Sequence, residues 1–134
     1  MTARETKVRQ EDRSAASAYL KKATDNYDQM LQAFNAENWN AATTLALQCA
    51  ISSADAICVH DRGVRSISQD HLDVCELVSQ LSLESAQEKS KQLRKVIARK
   101  NMVQYESRSA RLSDADEMVK VTTRFYQCVL ENLH

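Results

Sequence analysis

The sequence predicts an all-α protein that folds as an up-and-down bundle of about five antiparallel helices. Its 134 residues include no proline and a single glycine, so few positions break a helix or suit the turn of a β-hairpin. Apolar residues also recur at spacings of three and four, which is the pattern of amphipathic helices. The length fits one domain. We place it over residues 15–134, behind a flexible N-terminal arm over residues 1–14.

The first two helices are followed by a short polar link, VRSIS over residues 64–68, that leads to the third helix. An apolar stripe over residues 16–34 predicts the first helix. Asn38 is a favourable N-cap for the second helix, in which apolar or small residues occur on nearly every side, as in a helix at the centre of a bundle. Gly63 suits the left-handed position that follows a helix, so the second helix should end near Asp61 or Arg62.

Serines mark the predicted starts of the remaining three helices. The proposed N-caps are Ser68, Ser85 and Ser113. Ser85 with Glu88, and Ser113 with Asp116, have the spacing of a capping box. The fourth helix should be long and run to about Ser107, because no glycine or proline interrupts it. Short links between helices make successive helices antiparallel neighbours.

Charge and hydropathy exclude several classes of function. Lysine plus arginine and aspartate plus glutamate number 18 each, so no overall positive field attracts nucleic acid or anionic lipid. Any such binding must use a local patch. The first ten residues lack the apolar core of a signal peptide, and no apolar run is long enough to span a bilayer. We therefore expect a cytoplasmic protein that does not associate with membranes.

The cysteines are widely spaced and form no C-x-x-C pair; they are Cys49, Cys58, Cys75 and Cys128. Such spacing is untypical of a disulfide framework, and we interpret these residues as reduced thiols of the core. A metal site that combined them with His60 or His71 would lack the usual spacing between ligand pairs. The sequence therefore indicates no metal and no cofactor.

The segment HDRGVRSISQDH, residues 60–71, concentrates polar side chains at a junction between two helices. Arg62, Arg65 and His71 are its candidate ligand-binding residues, because guanidinium and imidazole groups donate hydrogen bonds to anions. The alternative interpretation is a capped turn with ion pairs at the protein surface.

A polar stripe along the predicted fourth helix is the second such feature. Its members follow one another at three or four residues, and they are Lys91, Arg94, Ala98, Asn101, Tyr105 and Arg108. Arginine forks and amide donors in such an arrangement can hold a phosphate. The stripe is also compatible with a helix face toward solvent or toward a partner helix.

Four short motifs follow one another along the chain, namely SADAICVHDRGVRS, QDH, LRKVIARKNMVQYESR and SDADEMV. Their order resembles that of the HEPN domains, which are prokaryotic helical bundles often found as toxins or beside minimal nucleotidyltransferases. The resemblance covers residues 15–133, and it rests on the order of the motifs together.

The resemblance implies a homodimer in which an arginine, followed after four to six residues by a histidine, meets its twin in a cleft and cleaves RNA without a metal. In that chemistry a base deprotonates the ribose 2′-hydroxyl while arginine neutralises the phosphate. Arg99 matches the arginine, but Gln104 and Tyr105 stand where the histidine is expected. Glutamine has no titratable proton, and tyrosine is protonated at neutral pH. Lys100 and Asn101 are an alternative polar pair for the motif.

Three functions follow as expectations. The first is a homodimeric RNA- or nucleotide-binding module with a degenerate ribonuclease motif. The second is an active, metal-independent ribonuclease toxin of a toxin–antitoxin pair, with a nucleotidyltransferase as its partner and with Arg99, Gln104 and Tyr105 as catalytic residues. The third is a non-catalytic scaffold that binds another protein. The candidate ligand-binding residues are Arg62, Arg65, His71, Arg94, Lys100 and Asn101.

Overall fold

The computed structural model describes residues 7–68 and 70–133. Its helices are α1 (Ala16–Asn35), α2 (Trp39–Arg62), α3 (Leu72–Ser79), α4 (Ala86–Ile97), α5 (Lys100–Gln104) and α6 (Leu112–Asn132). Two short strands, β1 (Val8–Gln10) and β2 (Val64–Ser66), and a 3-10 turn over Arg13–Ala15 complete the described elements. The helices supply the core, which confirms the prediction of an all-α bundle.

Helix α2 lies at the centre of the bundle, as its composition predicted. It packs most extensively against α1 and α6 and also contacts α3 and α4. Its buried small residues, among them Ala46, Ala50 and Ala54, leave room for neighbouring helices to approach closely. Met30 of α1 and Phe125 of α6 are among the largest fully buried side chains of the core that surrounds it.

By length and composition alone, α2 is long and apolar enough to cross a bilayer. The mean hydropathy of its most apolar stretch is 1.4, but 72% of that stretch is buried inside the bundle. Burial on nearly all sides is the property of a core helix and accounts for the apolar character of α2. The cytoplasmic location stays a prediction.

Both ends of α2 confirm the sequence analysis. The Asn38 side chain accepts a hydrogen bond from the Ala41 amide at 3.3 Å, so it caps the helix as predicted. At the other end Gly63 adopts φ +65°, and its amide donates to the Val59 carbonyl at 2.9 Å. The helix ends at Arg62 because only a residue tolerant of the left-handed region continues the chain at that point.

The strand pair was missed in the sequence. Strands β1 and β2 are antiparallel, with Val8 opposite Ser66 and Gln10 opposite Val64. Residues 8–14, which the sequence assigned to a flexible arm, thus form a strand and the start of a 3-10 turn, and the predicted polar link after Gly63 contains β2. Three residues are too few for an alternating pattern to be detected. Residues 1–6 of the predicted arm lie outside the described part of the chain.

The predicted starts of α3 and α4 are partly wrong. Helix α3 begins at Leu72, and the Ser68 hydroxyl instead accepts a hydrogen bond from the Asp70 amide at 3.1 Å in the turn before it. Helix α4 begins directly after Ser85 as predicted, but the Ser85 side chain makes no capping hydrogen bond, so no capping box forms with Glu88. Serine hydroxyls bond to nearby backbone in turns as readily as in caps, and sequence spacing does not separate the two.

The start of α6 also differs from the prediction. The helix begins at Leu112, one residue before the proposed Ser113 cap. The Asp114 carboxylate accepts a hydrogen bond from the Arg111 amide at 2.8 Å, so Asp114 rather than Asp116 reaches back to the chain before the helix. Asp114 also forms ion pairs with Arg99 and Arg108, which both lie outside α6. These two contacts hold the Asp114 side chain in position.

The prediction of one long fourth helix is wrong. Helix α4 ends at Ile97 and α5 starts at Lys100. Between them the Arg99 amide donates to the Val96 carbonyl at 3.0 Å, a bond that tightens the chain into a turn. Neither glycine nor proline marks this break. After the turn, Met102 is buried in the core.

Candidate functional site

A cavity of about 490 Å³ lies between the beginning of α3 and the junction of α4 with α5. We call it the Arg94 cavity; its lining residues are Asp70, His71, Leu72, Arg94, Ile97, Ala98, Lys100 and Asn101. Four of the six predicted ligand-binding residues therefore meet here. The break between α4 and α5 contributes, because α4 supplies Arg94 while the separate turn of α5 supplies Lys100 and Asn101.

The Arg94 cavity has a positive charge excess. The side chains of Arg94 and Lys100 make no ion pair or hydrogen bond with the part of the chain that the structure describes, while Asp70 contributes one negative charge to the wall. Partial burial, with the positive charge of Lys100 adding to it, lowers the pKa of His71 from its ordinary value. At neutral pH the imidazole is therefore uncharged and offers one donor and one acceptor.

The remaining groups of the Arg94 cavity provide orientation and an apolar contact. The side-chain amide of Asn101 offers two N–H donors and one carbonyl acceptor. Leu72, Ile97 and Ala98 supply apolar surface. Two cations beside an amide, an imidazole and apolar carbon match a phosphate attached to a planar organic group better than they match a bare ion.

Arg99, the arginine singled out by the family motif, lies outside this cavity. Its guanidinium forms an ion pair and hydrogen bond with the Asp114 carboxylate, and its Nη1 lies 3.8 Å from Glu117 Oε1. The Arg99 side chain is only 28% exposed. Hydrogen bonds from Arg108 and from the Arg111 amide lower the pKa of Asp114, so the carboxylate stays charged at neutral pH and neutralises Arg99.

Gln104 and Tyr105 also lie outside the lining of the Arg94 cavity. Both are exposed, Tyr105 to 73%. The Tyr105 amide donates to the Asn101 carbonyl at 2.9 Å, which closes the last turn of α5 and fixes the backbone rather than the phenol. The catalytic roles of Arg99, Gln104 and Tyr105 stay predictions.

The two arginines of the residue 60–71 segment lie apart from Arg94. Arg62 donates to the Gln80 carbonyl at 3.3 Å, which ties the end of α2 to the chain after α3. Arg65 lies in β2, and its Nε is 3.8 Å from the carboxylate of Asp55 in α2. Arg62 therefore has a structural contact, as the alternative interpretation of this segment proposed.

Asp55 is the polar residue that sequence reasoning missed. It is only 8% exposed although it carries an ionisable group, and burial raises its pKa to about 6 against the opposing charge of Arg65. The available signal was the aspartate itself, placed in the run SADAICV where every neighbour is small or apolar. A charged residue on a helix buried on nearly all sides is rare and requires a reason.

The cysteines behave as predicted, with Cys49, Cys58 and Cys75 buried as free thiols and Cys128 half-buried. Burial raises the pKa of Cys49 to about 12 and that of Cys75 to about 11, which makes both poor nucleophiles. Among residues 7–68 and 70–133, no three histidine, cysteine, aspartate or glutamate side chains lie close enough together to hold a metal ion.

The family assignment follows from comparison with known proteins. A family model described as HEPN domain matches residues 16–133. The chain belongs to the HEPN domain family. The match starts at the first residue of α1, so strand β1 lies outside the matched range of this HEPN domain. Searches of curated proteins and of solved structures gave no match to the chain.

Proposed function

We propose that this HEPN domain binds the phosphorylated nucleoside unit of RNA, or a free nucleotide, in the Arg94 cavity. Arg94 and Lys100 hold the phosphate, Asn101 and His71 orient the adjoining groups, and the apolar wall receives the sugar or base. The observation that carries the proposal is the cation pair: Arg94 and Lys100 both line one cavity, and neither has an ion-pair partner within the described residues.

The electrostatic argument favours a bound anion. Two like charges on the wall of one cavity repel each other, and a dianionic or bridging phosphate removes that repulsion while accepting several hydrogen bonds. The cavity volume of about 490 Å³ is in the usual range of small-molecule sites. Because the net charge of the whole chain is zero, affinity for RNA depends on this local pair.

Binding without cleavage fits the residues better than a ribonuclease does. A transition-state clamp must give its charge to the reacting phosphate, whereas Arg99 is already paired with Asp114 and lies beside Glu117. His71 is the only imidazole in the lining of the Arg94 cavity. The arginine beside it in that lining is Arg94 and not Arg99. A binding module is accordingly the first choice and a ribonuclease the second.

The test measures affinity for a fluorescently labelled single-stranded RNA by anisotropy, with unlabelled mononucleotide as competitor. Arg94→Gln and Lys100→Gln should each weaken binding roughly tenfold, since each removes charged hydrogen bonds. The dependence of affinity on salt should fall by about 0.7 in log–log slope for each variant, as expected when one phosphate contact of a single strand is lost.

Lys95→Gln is the matched control, because Lys95 is exposed on the same helix and does not line the cavity. Equal loss of affinity in Lys95→Gln and Arg94→Gln would mean that binding follows charge in general, which would refute the proposed site. Cleavage of the RNA in EDTA by the unmodified protein, abolished in Arg99→Ala and in Tyr105→Phe, would replace the binding proposal with the ribonuclease.

Homodimerisation, a toxin role and a nucleotidyltransferase partner stay predictions. Sedimentation velocity on the purified protein, at concentrations that bracket those of the RNA assay, tests the dimer. A monomer that binds RNA with full affinity would separate the Arg94 cavity from any cleft between two copies.

A further inference from the structure

A second concave region adjoins the Arg94 cavity. It consists of cavities of about 520 Å³ and 100 Å³ that share Ile51, Asp55 and Arg65 in their linings, and we call the two together the Asp55 cleft. His71 lines both the Arg94 cavity and the smaller part of the Asp55 cleft. The two regions therefore lie on either side of, or meet at, the His71 side chain.

The Asp55 cleft contains two polar groups that lack hydrogen-bond partners within the described residues. The Asp55 carboxylate accepts no hydrogen bond there, and its distance of 3.8 Å from Arg65 Nε is too long for one. Arg65 Nε is itself buried without an acceptor. Nη1 of Arg65 donates to the Tyr19 hydroxyl at 3.3 Å and lies 4.0 Å from Glu11 Oε1, and the Tyr19 hydroxyl donates to Glu11 at 2.6 Å.

Arg65 Nε is fully buried, whereas the Asp55 side chain lines the cleft and keeps 11% of its surface exposed. Buried polar atoms are nearly always satisfied by protein, water or ligand, since desolvation without a hydrogen bond is costly. Asp55 can only accept hydrogen bonds when it is ionised, and the Arg65 guanidinium can only donate. A ligand complementary to both groups presents N–H donors beside an acceptor.

We propose that the Asp55 cleft recognises a guanine base of single-stranded RNA whose phosphate occupies the Arg94 cavity. The Watson–Crick edge of guanine carries two adjacent N–H donors, at N2 and N1, and then the O6 acceptor. Asp55 accepts from the two donors, and Arg65 donates to O6 through Nη2, because Nε is fully buried and Nη1 already donates to Tyr19. This inference rests on the proposed function and adds to it the class of substrate and its sequence preference.

The other bases do not match the pair. Adenine and cytosine place their amino donor beside a ring-nitrogen acceptor, whose lone pair would face the second oxygen of Asp55. Uracil offers one N–H between two carbonyl oxygens, which the carboxylate repels. Readout of Watson–Crick edges is the usual means by which proteins recognise single-stranded RNA, and here it discriminates by leaving buried groups unpaired when the base is wrong.

The experiment compares two labelled oligonucleotides at pH 7.5, identical except that a single guanosine among uridines is replaced by inosine. Inosine lacks the N2 amino group and so removes one of the two donors to Asp55. We expect the unmodified protein to bind the guanosine oligonucleotide roughly tenfold more tightly, the effect of one hydrogen bond to a charged group. In Asp55→Asn the difference should fall below about twofold, because the amide offers one acceptor instead of two.

Asp28→Asn is the matched control, since Asp28 is an exposed aspartate that lines neither part of the Asp55 cleft. It should keep the full preference for guanosine. Equal affinity for the two oligonucleotides in the unmodified protein, as expected of a cleft that holds only water, would overturn the inference without using any variant. So would a guanosine preference that persists in Asp55→Asn.

The outcomes also separate this inference from the proposed function. If RNA binds and Arg94→Gln weakens it but guanosine and inosine bind equally, the Arg94 cavity stands and the guanine subsite fails. If neither oligonucleotide binds, the proposed function fails and the inference fails with it.

Discussion

Replacement of Asp114 by alanine should destabilise the fold more than any other exchange of a single acidic side chain at the start of α6. The Asp114 carboxylate accepts a hydrogen bond from the Arg111 amide at 2.8 Å, which is worth about 1 kcal/mol by analogy with helix capping. Its ion pair with the partly exposed Arg99 adds about 0.5–1 kcal/mol, the value of a pair screened by solvent. We therefore expect Asp114→Ala to lose roughly 2 kcal/mol of unfolding free energy.

The assay is urea denaturation followed by circular dichroism, with thermal unfolding as a second measure. For a chain of 134 residues the entropy of unfolding is about 0.28 kcal/mol per degree, so the expected loss lowers Tm by roughly 7 °C. Asp116→Ala is the matched control, because the one ion-pair partner of Asp116 among residues 7–68 and 70–133 is Lys120, at the surface of the same helix. That variant should lose no more than about 0.5 kcal/mol.

The pH dependence gives an independent check on the same carboxylate. The pKa of Asp114 is lowered in the folded state, so its stabilising effect is fully present above the ordinary aspartate pKa and is lost as the pH falls through the folded value. The gap in stability between the unmodified protein and Asp114→Ala should therefore be constant near pH 7 and shrink below about pH 4. If the unmodified protein and Asp114→Ala were equally stable at pH 7, or if Asp114→Ala lost no more stability than Asp116→Ala, the stabilising role of Asp114 at the start of α6 would be refuted.

Two further predictions concern backbone conformation and thiol chemistry. Gly63→Ala should lower the free energy of unfolding by about 1–2 kcal/mol, because Gly63 has φ +65° and a Cβ there would lie 3.3 Å from the Glu11 carbonyl oxygen. Glu37→Gly should leave stability unchanged or raise it by up to about 1 kcal/mol, because Glu37 has φ 59° although it carries a side chain. Urea midpoints that shift in the reverse directions would contradict these two expectations. A thiol reagent should modify Cys128 first and the buried Cys49, Cys58 and Cys75 only on unfolding, and rapid labelling of all four in the native protein would show that the core opens.

The parts of the fold that the sequence predicted are those that depend on local chemistry or on long patterns. The apolar stripe of α1 and the Asn38 and Gly63 ends of α2 are properties of one segment, and all were confirmed. The break between α4 and α5 and the start of α6 lie instead at the two ends of a contact between Arg99 and Asp114, which are fifteen residues apart. Such tertiary contacts override local propensity without leaving a mark in either segment.

Some residues of the candidate site could be predicted from the sequence, and others could not. Arg94, Lys100, Asn101 and His71 were chosen as polar residues of two separate segments, and the packing of α3 against α4 brings these segments together. Asp55 was passed over because it stands in an apolar helix whose core role was evident. Its partner Arg65 lies in β2, and strands of three residues give no pattern from which their position could be inferred.

Arg94 and Arg99 show why one residue type supports different roles a few positions apart. Arg94 lies in α4 and Arg99 in the turn between α4 and α5, so the two guanidinium groups face different neighbours. A phosphate that bound Arg99 would have to displace Asp114 and would thereby remove an anchor of α6, while a phosphate that binds Arg94 displaces no ion-pair partner among the described residues. The free energy of that exchange opposes binding at Arg99 and not at Arg94. We therefore expect an anion to bind at Arg94 in preference to Arg99 in this chain.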